Sequence, residues 1–276
     1  VFRAGVFRGA TGTGNGSEIH GMEIRILGCH GSLMPGCHTT SFLLNGKFLI
    51  DAGTVASVLS IEEQMNLEWA LITHAHLDHV KDILFLADNF CTRERDPFTV
   101  MAPQGIIDLL HANLFNNVIW PDFSVIPSLE NPAIRFLALD PRTEYILSGL
   151  SVLPIPVNHT VETMAYLIED KDCSVLISGD TGPTEEMWEK ARKADNLKAV
   201  FIETSFPDEM KKTAALAGHL TPSMVKQELR KLGPCSPEIY LYHLKPQYYE
   251  PLSRQIASMG TGKSLHVLRD GDVFRF

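Results

Sequence analysis

A chain of 276 residues, 45% hydrophobic and 21% charged, carries enough apolar surface for one large core. Its apolar runs stop far short of the ~20 residues a membrane-spanning helix needs, so no membrane partner is expected. Its net charge of −9 gives no long-range attraction to nucleic acid or anionic lipid, which disfavours a long polyanion as substrate.

Residues 1–21 are rich in Gly and lack the apolar stretch of a secretory signal, and are expected to form a flexible N-terminal tail before a single domain over 22–276. Residues 22–27 alternate as a strand, and 28–40 read as a loop. Strands 41–44 and 47–50 flank Asn45-Gly46, the composition of a tight hairpin. After Asp51-Ala52-Gly53 comes a short helix over 55–65. A strand at 70–72 runs into Thr73-His74-Ala75-His76-Leu77-Asp78-His79, and a helix follows over 80–90. A strand at 98–101 and a helix at 104–114 precede an irregular stretch, 120–132, with three prolines. Residues 134–139, 144–147 and 151–157 read as antiparallel strands, and 164–169 with 174–177 as a hairpin. The turn 178–183 leads to a helix over 184–194 with Thr184 as N-cap. A strand at 199–203, a helix at 222–232 capped by Thr221, a strand at 239–243, a helix at 248–259 and strands at 264–268 and 273–276 complete the order. Each half runs from a strand meander to strand–helix alternation, which predicts two sheets packed face to face with helices outside.

The opening of the 80–90 helix concentrates the chemistry. His74, His76, Asp78 and His79 place four potential metal ligands within six residues. Histidines two apart on extended backbone point the same way. Three later apolar strands end in further candidates: His159, Asp180 and His243. A lone strand-end His is usually a hydrogen-bonded structural residue, but five His and two Asp together fit two ions sharing a bridging Asp and a water. The donors suit Zn²⁺, with Mn²⁺ or Fe²⁺ as alternatives. The five cysteines (Cys29, Cys37, Cys91, Cys173, Cys235) are odd in number and scattered, and read as free thiols of a reducing, cytoplasmic compartment. Cys29 and Cys37 flank a short loop, where a bridge or metal ligation stays open.

His74-x-His76-x-Asp78-His79 followed by His159, Asp180 and His243 resembles the metallo-β-lactamase superfamily over residues 22–276. The resemblance implies an α/β fold, a four-layer αββα sandwich of two mixed sheets, with a dinuclear site at one edge of both. It implies that His74, His76 and His159 hold one ion, that Asp78, His79 and His243 hold the other, and that Asp180 bridges them. For Asp51 two readings stand: turn capping, and orientation of a ligand His.

Glu203, ending another apolar strand, and His219, just before a helix, resemble the phosphodiesterase branches of the superfamily. There a Glu tunes a His beside the scissile phosphate; the alternative is an ordinary buried pair. Ser178-Gly179-Asp180-Thr181-Gly182, Glu203-Thr204-Ser205-Phe206-Pro207, Gly218-His219-Leu220-Thr221-Pro222 and Lys245-Pro246 are together similar to the class II cyclic-nucleotide phosphodiesterases. That pattern carries a Gly soon after the first motif, where this chain has Val80-Lys81-Asp82-Ile83. The tRNA 3′-processing endonucleases share the metal set, the Glu/His pair and a loop like 27–35, but this chain is acidic and lacks their basic insertion. Thioester and lactone hydrolases share the fold and need the pair less. The resemblance thus implies hydrolysis of a small 3′,5′-cyclic nucleotide to a 5′-nucleotide by a metal-bridging hydroxide. Asp78, Glu203 and His219 are the expected catalytic residues. His219 and His38 are expected to bind substrate, with loops 28–40 and 115–132 as candidate walls and a homodimer as the implied assembly.

Overall fold

The computed structural model describes residues 21–260 and 264–276; apart from Gly21, the expected tail lies outside them. In the first half β1 (Glu23–Gly28), β2 (Ser41–Leu44) and β3 (Phe48–Ile50) form an antiparallel meander. Asn45 and Gly46 turn it with φ of 51° and 68°, and Lys47 joins them in a three-residue loop, since Leu44 pairs with Phe48. Then α1 (Ile61–Met65), β4 (Trp69–Leu71), α2 (Leu77–Cys91), β5 (Phe98–Ala102), α3 (Gln104–Asn113) and β6 (Ile134–Ala138) alternate, and β3 through β6 run parallel.

The second half repeats the plan. Strands β7 (Tyr145–Leu147), β8 (Leu150–Pro156), β9 (Met164–Glu169) and β10 (Ser174–Ile177) are antiparallel. They are followed by α4 (Glu186–Ala191), β11 (Leu197–Glu203), α5 (Lys211–Leu216), α6 (Pro222–Leu229), β12 (Glu238–Tyr242), α7 (Tyr249–Ala257) and β13 (Leu265–Val267). Strand β14 (Val273–Arg275) crosses back to pair with β1. The sheets read β14-β1-β2-β3-β4-β5-β6 and β13-β12-β11-β10-β9-β8-β7.

Phe42, Ile50, Tyr166, Phe201 and Tyr242 fill the space between the sheets. Ile83, Phe90 and Ile106 seal α2 and α3 onto the outside of the first sheet. Trp188, Val225 and Ile256 do the same for α4, α6 and α7 on the second. The result is the expected αββα sandwich. Among the described residues no helix is long and apolar enough to cross a membrane, and none of the cysteines is in a disulfide.

Three expectations need correction, and one element was not foreseen. Strand β6 pairs parallel with β5, not antiparallel within the second cluster, because α3 carries the chain over the sheet and Phe136 packs against His111 and Phe115. The helix expected over 55–65 is only α1: Ser60 and Glu63 close a reciprocal capping box, and Asp82 engages the Val55 and Ala56 N–H groups ahead of it. Thr184 is not the N-cap of α4: the helix starts at Glu186 with Glu185 in the cap position, and the Thr184 N–H donates to Glu228. The short helix α5 had no periodic apolar signal to announce it.

Candidate metal centre

The strands fix where the ligands meet. β3 and β4 are parallel, as are β10, β11 and β12, and β8 runs with β10 because both pair antiparallel with β9. Their C-terminal ends therefore open at one edge. Asp51 follows β3, His74 follows β4, His159 follows β8, Asp180 follows β10, Glu203 ends β11 and His243 follows β12. His76 takes the N-cap position of α2, so Asp78 and His79 fall on its first turn.

Two groups of donors lie within 4.8 Å of one another: His74, His76, His159 and Asp180, and Asp78, His79 and His243. Asp180 reaches both. Its Oδ2 is 3.6 Å from His74 Nε2, 3.5 Å from His79 Nε2 and 3.4 Å from His243 Nε2. His243 Nε2 is 3.2 Å from Asp78 Oδ2 and 3.3 Å from His79 Nε2, and His159 Nε2 is 3.4 Å from His76 Nδ1. These residues fit divalent ions on two counts. Bonds of ~2.1 Å to a common tetrahedral ion set donors about 3.4 Å apart. In addition, His74 Nε2 and Asp180 Oδ1 are buried without any hydrogen-bond partner, a costly state that a cation would relieve.

Two buried carboxylates orient the rings. Asp51 Oδ2 accepts from His79 Nδ1 at 2.6 Å, and the carboxylate also accepts from the Thr73 hydroxyl, which lies 3.0 Å from His74 Nδ1. Asp51 so holds His79 directly and His74 through Thr73, in addition to accepting the Thr73 N–H at 2.8 Å. Glu203 repeats the device. Its Oε1 accepts from His219 Nδ1 at 2.9 Å, and its Oε2 from the Ser205 hydroxyl at 2.9 Å, which in turn accepts from His243 Nδ1 at 2.8 Å. A carboxylate only accepts, so His79 and His219 each carry the Nδ1 proton and present Nε2 elsewhere. His219 also falls into a third donor group with Asp180 and His243, but the Nδ1 atom that lies 3.9 Å from Asp180 is the one engaged by Glu203.

The charges agree with this layout at all but one ring: burial opposes charging of His79, but Asp180 and Asp51 carry it well above the usual histidine range, a proton that an ion at Nε2 would displace. Burial, reinforced by neighbouring imidazoles, pushes His74 well below the usual histidine range. Burial likewise lowers His76 and His159, which keeps these rings in the neutral form that binds metal. Burial opposes the charged forms of Asp78 and Asp180, yet His243 and His79 hold both carboxyls below the ordinary range. Burial also opposes charging of His219, but the Glu203 carboxylate, by charge and hydrogen bond, carries it above the usual value.

Of the expected site residues, only His38 lies apart from the cluster. It bonds Asp270 and lines, with Leu33, Thr54, Lys81 and Phe85, a cavity of about 460 Å³ that no candidate ligand lines. Thr73 and Ser205 were not foreseen. Their one signal is position, next to His74 and two residues after Glu203. Gly218 was also missed: its carbonyl accepts from His159 Nδ1 at 2.8 Å, at a φ of 67° where a Cβ would meet that same nitrogen at 2.9 Å.

Comparison with known proteins agrees. The family model of the class-II cAMP phosphodiesterases matches residues 60–253. A probable 3′,5′-cyclic-nucleotide phosphodiesterase of Yersinia pestis is 26% identical over 246 residues, covering 80% of this chain and 69% of that protein. The crystal structure of unliganded yeast PDE1 superposes with a TM-score of 0.82 at 18% identity, over 93% of this chain and 99% of that one. The metallo-β-lactamase-fold protein YhfI of Bacillus subtilis gives a TM-score of 0.74 at 17% identity, over 92% and 99%. The two structural likenesses identify the fold as that of the metallo-β-lactamases.

Proposed function

The chain belongs to the class-II cAMP phosphodiesterases and is a metal-dependent phosphodiesterase; from that premise we propose how its residues divide the hydrolysis of a 3′,5′-cyclic nucleotide to a 5′-nucleotide. His74, His76 and His159 would hold one Zn²⁺, Asp78, His79 and His243 a second, and Asp180 would bridge them. Bound there, the ions supply Lewis-acid neutralisation of phosphate charge and a nucleophile at neutral pH. The chain supplies the rest. Asp51 and Thr73 fix His79 and His74, while Ser205 fixes His243. His219 gives its Nε2 proton to the departing O3′, and Glu203 keeps it charged and aimed. His38 lines a separate cavity that none of the seven ligands, Glu203 or His219 lines, and it is given no part in the step.

The observation that carries this reading is the Glu203–His219 pair, 2.9 Å apart and set against Asp180. Carbonyl hydrolysis has less use for a proton donor there. The net charge of −9 also gives no long-range attraction to a tRNA substrate. A panel of 3′,5′-cyclic nucleotides, precursor tRNA, a thioester and a lactone tests it with zinc- or manganese-loaded protein. Turnover confined to the cyclic nucleotides is the expected result, and cleavage of thioester or lactone alone refutes it.

A further inference from the structure

Away from the dinuclear centre, three side chains from distant parts of the chain converge. Cys29 and His30 follow β1, and Asp270 sits in the turn between β13 and β14. Asp270 Oδ1 is 3.3 Å from Cys29 Sγ and 3.3 Å from His30 Nδ1, and Sγ and Nδ1 are 3.8 Å apart. Bonds of ~2.3 Å to sulfur and ~2.0–2.1 Å to nitrogen and oxygen put the donors of a tetrahedral zinc about 3.3–3.6 Å apart. The carboxylate is already anchored: it accepts the Cys29 N–H at 3.1 Å and the His38 N–H at 2.9 Å. Cys29 is buried, while His30 and Asp270 are half-buried and leave a way in.

We propose that Cys29, His30 and Asp270 form a third metal site that takes Zn²⁺, with solvent in the fourth position. Thiolate, imidazole and carboxylate together are a zinc donor set. On binding, the Cys29 S–H bond breaks, a sulfur–zinc bond forms, and the proton leaves to solvent. The ion clasps the loop after β1 to the turn before β14. That loop supports the dinuclear centre from behind. The Cys29 carbonyl accepts the His243 N–H at 2.6 Å, the Gly31 N–H donates to the Leu244 carbonyl at 3.2 Å, and Lys245 Nζ donates to the Gly31 carbonyl at 3.0 Å. A Cβ on Gly31 would meet His243 Nδ1 at 2.6 Å, so the backbone approaches as closely as glycine allows. The clasp therefore sets the surface on which His243 rests.

None of the seven dinuclear-site residues carries sulfur, which makes the test selective. The full chain is loaded with Co²⁺, and metal content and the near-ultraviolet sulfur-to-cobalt charge-transfer band are measured. The expected result is a third bound equivalent and a clear band, both lost in Cys29→Ser while two equivalents remain. A His76→Ala variant, which damages only the dinuclear centre, should keep the band, so failure of one reading is distinguishable from failure of the other. Should Cys29→Ser not fold, Asp270→Asn serves as the second variant, with weakened binding of the third equivalent expected. Folded wild-type protein that binds two equivalents without a sulfur-to-cobalt band overturns the proposal.

Discussion

At the scale of residues, the two carboxylates Asp51 and Glu203 follow one plan: each bonds one imidazole directly and a second through a hydroxyl. Losing such a partner loosens a ligand without deleting it, typically by 10- to 100-fold in metal affinity, on the order of that range. Asp51→Ala should therefore bind zinc roughly 10–100-fold more weakly in competition with a chelator, and an unchanged affinity would leave Asp51 as a turn cap only. Glu203 acts on the proton as well. Because it raises His219, the imidazolium persists below the folded pKa and is lost as pH rises through it. The kcat profile should show an alkaline limb at that point, and Glu203→Gln should move the limb to lower pH. The candidate ligands could be picked out in the sequence because four stand within six residues and three more end later apolar strands, a joint occurrence that no lone strand-end His provides. Thr73 and Ser205 could not, because a hydroxyl at a strand end looks the same whether it orients a ring or only ends a strand.

At the scale of elements, the turn before α1 hangs on a residue of α2. Asp82 Oδ2 accepts the Val55 N–H at 2.6 Å and the Ala56 N–H at 2.8 Å, and Lys81 Nζ holds Oδ1 at 2.9 Å. This is the stretch where the chain departs from the class II pattern, and the acidic side chain there is a buried backbone cap. Asp82→Ala should destabilise the fold by about 1–3 kcal/mol in urea unfolding, since it strands buried N–H groups. A change near zero would show that water replaces the carboxylate. The cap also explains why the expected helix over 55–65 shrank to α1: a contact across 26 residues has no local signature. Strand β6 was misassigned for a related reason. Its direction is set by the α3 crossover and by Phe136 packing against His111 and Phe115, and none of that is written in its own alternation. The Asn45-Gly46 turn, by contrast, is decided by two adjacent residues and was legible from them, although the strand after it begins one residue later than expected, at Phe48.

At the scale of the whole molecule, the repeated order of meander followed by strand–helix alternation was enough to read two sheets and four layers. The cavity beside His38 was not readable, because it is shaped by side chains from a loop and a helix far apart in sequence. The two halves meet at the ligands, with His74, His76, Asp78 and His79 from the first and His159, Asp180 and His243 from the second. Ions held between them should stabilise the whole sandwich by RT ln(1 + [L]/Kd), ~2.7 kcal/mol at a hundredfold excess over Kd. Chelation should accordingly lower the melting temperature as well as abolish activity, and a Tm indifferent to chelator would argue against ligation across both sheets. The most direct test of the account compares wild type and His219→Ala, both metal-loaded, on 3′,5′-cyclic AMP and on an aryl phosphodiester whose phenolate leaves without a proton. The account expects wild type to convert cyclic AMP to 5′-AMP, and His219→Ala to lose roughly 10²–10⁴-fold on cyclic AMP but little on the aryl ester. No turnover of cyclic AMP by the wild type, or equal losses on both substrates, would contradict it.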